Sequence, residues 1–133
     1  MNSEPSFNYS FTFWVYPRGP ALGTWGNIFT YGDVYENRAP GVWTNPHSFQ
    51  LMCAIDAVNS TNLHVLIPTY TFTSSLWAHV AITVNTTKML IYTNGAYMTQ
   101  IDMSALGGRK AYSRQKFYGG DPFHLGACLC FSS

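Results

Sequence analysis

The sequence predicts an all-β domain folded as an antiparallel β-sandwich, and three observations predict it. Apolar residues recur with a period of two along most of the chain, as half-buried strands require. Residues that suit a pleated surface are abundant, with nine Tyr, nine Phe and four Trp among 133 residues. Turn signals punctuate the apolar runs at short intervals, and no stretch keeps a helical period. About seven to nine short strands with frequent turns fit a sandwich, and the length fits one domain over residues 1–133.

The elements follow in order. From Phe7 to Tyr16 the odd positions are all apolar or aromatic, which predicts a half-buried strand closed by Pro17-Arg18-Gly19-Pro20. Ile28 to Tyr31 predicts a second strand. Residues 32–47 carry Gly, Pro, Asn and Asp and read as a long loop. Phe49 to Ile55 and Leu63 to Ile67 predict the next two strands, with a turn from Asp56 to Asn62. From Trp77 to Val84 the alternation sends Ala78, Val80, Ile82 and Val84 to one face and Trp77, His79, Ala81 and Thr83 to the other. Asn85-Thr86-Thr87 makes a turn, and Met89 to Thr93 returns. Asn94-Gly95 is the strongest hairpin signal, because both central residues of a type I′ turn need positive φ. Ala96 to Ile101 pairs back, residues 102–114 read as loop, and Phe117-Tyr118 and Phe123 to Leu129 close the chain's strands.

Composition narrows the function. Apolar residues make up 47%, enough for a core, while charged residues make up only 10%, against about 25% in ordinary domains. A net charge of +1 excludes a strongly basic nucleic-acid binder. No apolar run approaches the roughly 18 residues of a membrane span, and MNSEPSFNYS carries no signal-peptide pattern. A chain this short of charge points to permanent assembly, attached glycans or a place in a larger chain. Asn8-Tyr9-Ser10, Asn59-Ser60-Thr61 and Asn85-Thr86-Thr87 are sequons, so Asn8, Asn59 and Asn85 are candidate glycan acceptors. Cys53 can pair with Cys128 or Cys130 in an oxidising compartment, a closure worth about 4 kcal/mol. Three buried, reduced cysteines are the equal alternative.

Two segments carry a resemblance. Trp77-Ala78-His79-Val80-Ala81-Ile82-Thr83 followed by Met89-Leu90-Ile91-Tyr92-Thr93-Asn94-Gly95 resembles the central hairpin of the laminin-G-like, concanavalin-A-like lectin and glucanase superfamily. Phe11-Thr12-Phe13-Trp14-Val15-Tyr16-Pro17, Ile28-Phe29-Thr30-Tyr31-Gly32-Asp33 and Phe123-His124-Leu125-Gly126-Ala127 are similar to its flanking strands, in the right order. The resemblance implies an antiparallel jelly-roll β-sandwich lacking the family's usual first and last strands. It leaves a sheet edge open as a template for another chain. In such a frame Trp14, Trp25, Trp77 and His79 read as core or scaffold.

The chemistry expected is recognition rather than catalysis. The glycanases of this architecture place paired carboxylates on one strand face. The six carboxylates here, Glu4, Asp33, Glu36, Asp56, Asp102 and Asp121, include no such pair. Sugar sites combine an aromatic platform with planar polar groups, which makes Trp43, with Tyr35, Asn37, Arg38 and Asn45 nearby in sequence, the leading candidate patch. The basic group Arg109, Lys110, Arg114 and Lys116 is a candidate for sulfated glycans, as in some laminin-G-like domains. Asp33, Glu36 and Asn37 are candidate calcium ligands; no other cofactor is expected. The expectation is a non-catalytic extracellular or cell-surface module that binds a glycan or a protein, as part of a longer chain or assembly. A self-assembling structural subunit is the alternative, and a glycan hydrolase the outside one.

Overall fold

A computed structural model gives the fold. It describes residues 8–17, 23, 25–32, 38–73, 75–110, 116–119 and 125–132, with backbone alone at 68–70, 116–119 and 125–132. Ten strands are described: β1 (Tyr9–Pro17), β2 (Gly26–Gly32), β3 (Gly41–Thr44), β4 (Gln50–Ala57), β5 (Ser60–Thr71), β6 (Ala78–Val84), β7 (Lys88–Thr93), β8 (Ala96–Asp102), β9 (Lys116–Gly119) and β10 (Leu125–Ser132). A single 3-10 turn, Ser104–Leu106, follows β8.

The strands form two antiparallel five-stranded sheets. Sheet A runs β10-β1-β6-β7-β8 and sheet B runs β5-β4-β3-β2-β9. The result is the expected jelly-roll β-sandwich. The first and last described strands lie side by side, with Ser10 opposite Ser132 and Pro17 opposite Leu125. The edges of the sheets are β10 and β8, and β5 and β9.

Alternation explains which side chains meet. Phe11, Phe13 and Val15 of β1, with Val80, Ile82 and Val84 of β6, point inward from sheet A. Phe29, Val42, Leu51, Cys53 and Ile55 meet them from sheet B. Aromatic edges interlock at the centre: Phe13 packs edge-on against Phe29 with ring centroids 5.2 Å apart. Each such side chain, fully buried, stabilises the fold by about 1.5–3 kcal/mol. The Asn94-Gly95 turn forms as expected, with φ of 49° and 83°.

Two expectations are corrected. The segment read as a loop over 32–47 contains β3, held by pairing with β2 on one side and β4 on the other. Trp14, Trp25 and Trp77 are not core: each is about half exposed. In β1 this follows from the period of two, since Trp14 stands between Phe13 and Val15, both buried. His79 lies on the same outer face of sheet A, its ring 5.0 Å from that of Trp14.

Candidate functional site

The outer face of sheet B holds a cavity of about 330 Å³, lined by Trp25, Arg38, Trp43, Met52, Asn62 and His64. Strand pairing puts these groups together. Trp43 on β3 stands opposite Met52 on β4, and Met52 stands opposite Leu66 on β5. Residues directly opposite one another in an antiparallel pair share a face. Leu51, Cys53 and Ile55 are committed to the core, so Met52, Ala54 and Asp56 face away from it.

Trp43 forms the floor. It is only 8% exposed, and its indole lies over Gly41, where any side chain would collide with the ring. The Arg38 guanidinium lies over the indole, 5.3 Å from the ring centroid, a cation–π arrangement. Trp25, just ahead of β2, is 51% exposed and is the accessible aromatic of the cavity.

Asp56 holds the wall from behind. It is almost fully buried, and its two carboxylate oxygens accept separate backbone N–H groups. Oδ2 accepts from Arg38 at 3.1 Å and Oδ1 from Asn62 at 2.7 Å. Both donors belong to residues that line the cavity. Asn62 itself adopts a left-handed backbone, φ 57°, which turns the chain at that point. His64 lies close by. Its Nδ1 is 3.1 Å from the Asn62 carbonyl oxygen, which can only accept, so Nδ1 carries the proton and Nε2 remains as the second hydrogen-bonding atom.

The sequence-derived candidates divide accordingly. Trp43 and Arg38 are in the cavity, although Trp43 serves as floor rather than exposed platform. Asn45 is used locally, its Oδ1 accepting from the His47 N–H at 2.9 Å. Tyr35, Asn37, Asp33 and Glu36 lie outside the described residues, as does Arg114; Lys116 is placed in β9 by its backbone alone. Arg109 is buried, its guanidinium 5.0 Å from the Tyr9 ring centroid and its N–H bonded to the Thr86 carbonyl, so it belongs to the packing between strands and not to a solvated basic patch. Lys110 is half-buried, its N–H donating to the Asp56 carbonyl at 2.8 Å.

Asn8 and Asn59 are exposed, the latter in the turn between β4 and β5. Asn85 is half-buried, with Oδ1 accepting from the N–H groups of Thr87 and Lys88. Cys53 is a free, buried thiol in sheet B. Of the two alternatives read from the sequence, the free Cys53 thiol agrees with reduced cysteines, and the backbone of Cys128 and Cys130 is registered against Trp14 and Thr12 in the other sheet. Among the described residues no three His, Cys, Asp or Glu gather as a metal site.

Met52, Asn62 and His64 were not singled out from the sequence, and Trp25 was read there as core or scaffold rather than as a binding residue. For Met52 the signal was available, since it alternates with Leu51 and Cys53. For Trp25, Asn62 and His64 no local pattern marks them, because only the register of sheet B brings them together.

Over residues 2–127 the chain matches the laminin G family model of the concanavalin A-like lectin/glucanases superfamily. The chain belongs to that superfamily. Solved structures share its fold at low identity. The binding domain of Paraclostridial Mosquitocidal Protein 1 gives a TM-score of 0.66 at 15% identity, over 93% of this chain and 32% of that one. The binding domain of botulinum neurotoxin DC in complex with SialylT gives 0.67 at 15% identity, over 95% and 31%. The same domain in complex with rat synaptotagmin II gives 0.63 at 16% identity, over 93% and 31%. This concanavalin A-like chain thus spans about a third of the length of each. No curated protein matches it. No helix among the described residues is long and apolar enough to cross a membrane.

Proposed function

We propose that this concanavalin A-like domain is a non-catalytic recognition module that binds a saccharide in the cavity on the outer face of sheet B. The observation that carries the reading is the joining of Trp25, Trp43, Arg38, Asn62 and His64 around one cavity of about 330 Å³. That volume falls in the lower part of the range of small-ligand sites, about 300–1,000 Å³, with room for a short saccharide. Trp25 offers a ring face for the C–H side of a sugar. Arg38, Asn62 and His64 offer hydrogen bonds to its hydroxyl, amide or carboxylate groups.

Two further points support it. The described lining has no carboxylate, so it assembles no acid–nucleophile pair, which favours recognition over hydrolysis. Toxin binding domains of the same fold have been solved with SialylT and with synaptotagmin II, which makes glycan and protein the two ligand classes to test first. The reading places the domain in a secreted or surface-displayed protein, as one part of a longer chain.

The test is a glycan array of neutral and sialylated saccharides, probed with and without calcium because Asp33, Glu36 and Asn37 are proposed ligands for it. Each hit is re-measured with Trp25→Ala. Binding that falls at least about tenfold in this variant, with an unchanged melting temperature, is the expected result. Binding that ignores the substitution, or no glycan binding in either condition, overturns the reading.

A further inference from the structure

The opposite face of the sandwich carries a second aromatic surface, separate from the cavity. Three ring pairs lie on the outer face of sheet A. Trp14 packs on His79 with centroids 5.0 Å apart, Tyr16 on Trp77 at 5.2 Å, and Tyr92 on Tyr97 at 5.8 Å. In each pair one ring is braced and half-buried while the other is about half exposed: Trp14 49%, Trp77 52% and Tyr97 54%. The pairs extend across β1, β6, β7 and β8, with Trp14 opposite His79, Ala81 opposite Tyr92, and Tyr92 opposite Tyr97. They therefore cover about three strand spacings of about 4.8 Å each. That is a length for a chain of sugar rings rather than for one.

The electrostatics specify the ligand. Among the described residues, the end of the face that holds these rings carries no acidic side chain and no basic one apart from His79. Lys88 and Asp102, opposite each other, stand at the far end of the β7–β8 ladder. Among the described residues an anionic or cationic partner finds no counter-charge at that end. A neutral polymer with apolar ring faces and hydroxyl edges suits the exposed aromatic faces, with Thr83 on the same outer face of β6. Bracing by a neighbouring ring also fixes each exposed ring before binding, which lowers the entropic cost of association.

We propose that the outer face of sheet A is a second binding site, which takes an uncharged polysaccharide chain by stacking on Trp14, Trp77 and Tyr97. The site is independent of the cavity on sheet B, and the two can succeed or fail separately.

The experiment is co-sedimentation of the protein with insoluble cellulose, chitin and mannan. Wild type is compared with the Trp14→Ala/Trp77→Ala double variant and with Trp25→Ala, after melting curves show all three folded. The expected result is retention of wild type and of Trp25→Ala on at least one polymer, undiminished by added salt. Affinity should fall at least about tenfold in the double variant. Tyr97→Ala, a milder single change on the same face, should weaken retention in the same direction. Failure to sediment with any of the three polymers overturns the proposal. So does retention that survives the double variant. Concentration-dependent dimers that the double variant abolishes, without polysaccharide binding, would assign the face to a second copy of the chain and overturn it equally.

Discussion

The indole of Trp43 lies across Gly41, two residues earlier on the same face of the same strand. The absence of a side chain at Gly41 is what lets a large ring lie flat against β3 and act as a cavity floor. Gly41→Ala puts a methyl group into the ring, and the ring must lift. Overpacking of this kind costs about 1–3 kcal/mol. Denaturant unfolding should show that loss, together with changed tryptophan emission. A variant as stable as wild type with unchanged emission would mean that the ring does not rest there.

Asp56 links the fold to the cavity without lining it. Its carboxylate satisfies the backbone N–H groups of Arg38 and Asn62. Asp56→Ala leaves both donors without that acceptor in a nearly dry position, a loss of about 2–4 kcal/mol. Asp56→Asn keeps one oxygen acceptor and should recover part of the loss. Saccharide affinity should fall in the same order. Equal stability of the three proteins in urea would contradict this role.

Cys53 is fully buried in the core, and burial pushes its thiol well above the usual cysteine range. It is therefore protonated at neutral pH and shielded from reagents. Mass mapping after alkylation should find Cys53 unmodified in the native protein and modified once it is unfolded, without prior reduction. A Cys53 peptide recovered in a disulfide would contradict the structure.

Asp102 sets an acid-side dependence. Its Oδ1 accepts from the Ser104 hydroxyl at 2.6 Å and from the Ser104 N–H at 2.9 Å, and these bonds hold its carboxyl below the usual aspartate range. A lowered folded-state pKa means that the contribution to stability is complete above the unfolded carboxyl's pKa. It is lost as pH falls through the folded value. An NMR titration of the Asp102 carboxyl should give a midpoint below that of a free aspartate. Ser104→Ala should move the midpoint upward. A midpoint at or above the ordinary value would rule the arrangement out.

The parts of this fold that could be read from sequence are those governed by local rules. The alternation of β6 predicted Ala78, Val80, Ile82 and Val84 as one inward row, and all four are buried. Asn94-Gly95 predicted its own turn because few other residues tolerate its backbone angles. β3 could not be read in this way. Its four residues are too short to display a period, they follow Pro40 and precede Asn45-Pro46, and they are extended because β2 and β4 hold them on both sides. The cavity shared that difficulty. Arg38 and Trp43 stood out by type and proximity, but Trp25, Met52, Asn62 and His64 join them only through the register of sheet B. The exposed tryptophans were misjudged for another reason. Large aromatics were read as core or scaffold by their type, whereas in β1 the alternation that buries Phe13 and Val15 turns Trp14 outward.

The measurement that tests the account most directly is an NMR titration of the protein with the strongest glycan-array hit, following the indole N–H signals of all four tryptophans. The account predicts that Trp25 and Trp43 shift together in a saturable manner, with the backbone signals of Asn62 and His64, whether or not Trp14 and Trp77 on the opposite face also respond. Saturable shifts confined to Trp14 and Trp77, or confined to residues remote from both faces, would contradict a saccharide site on sheet B.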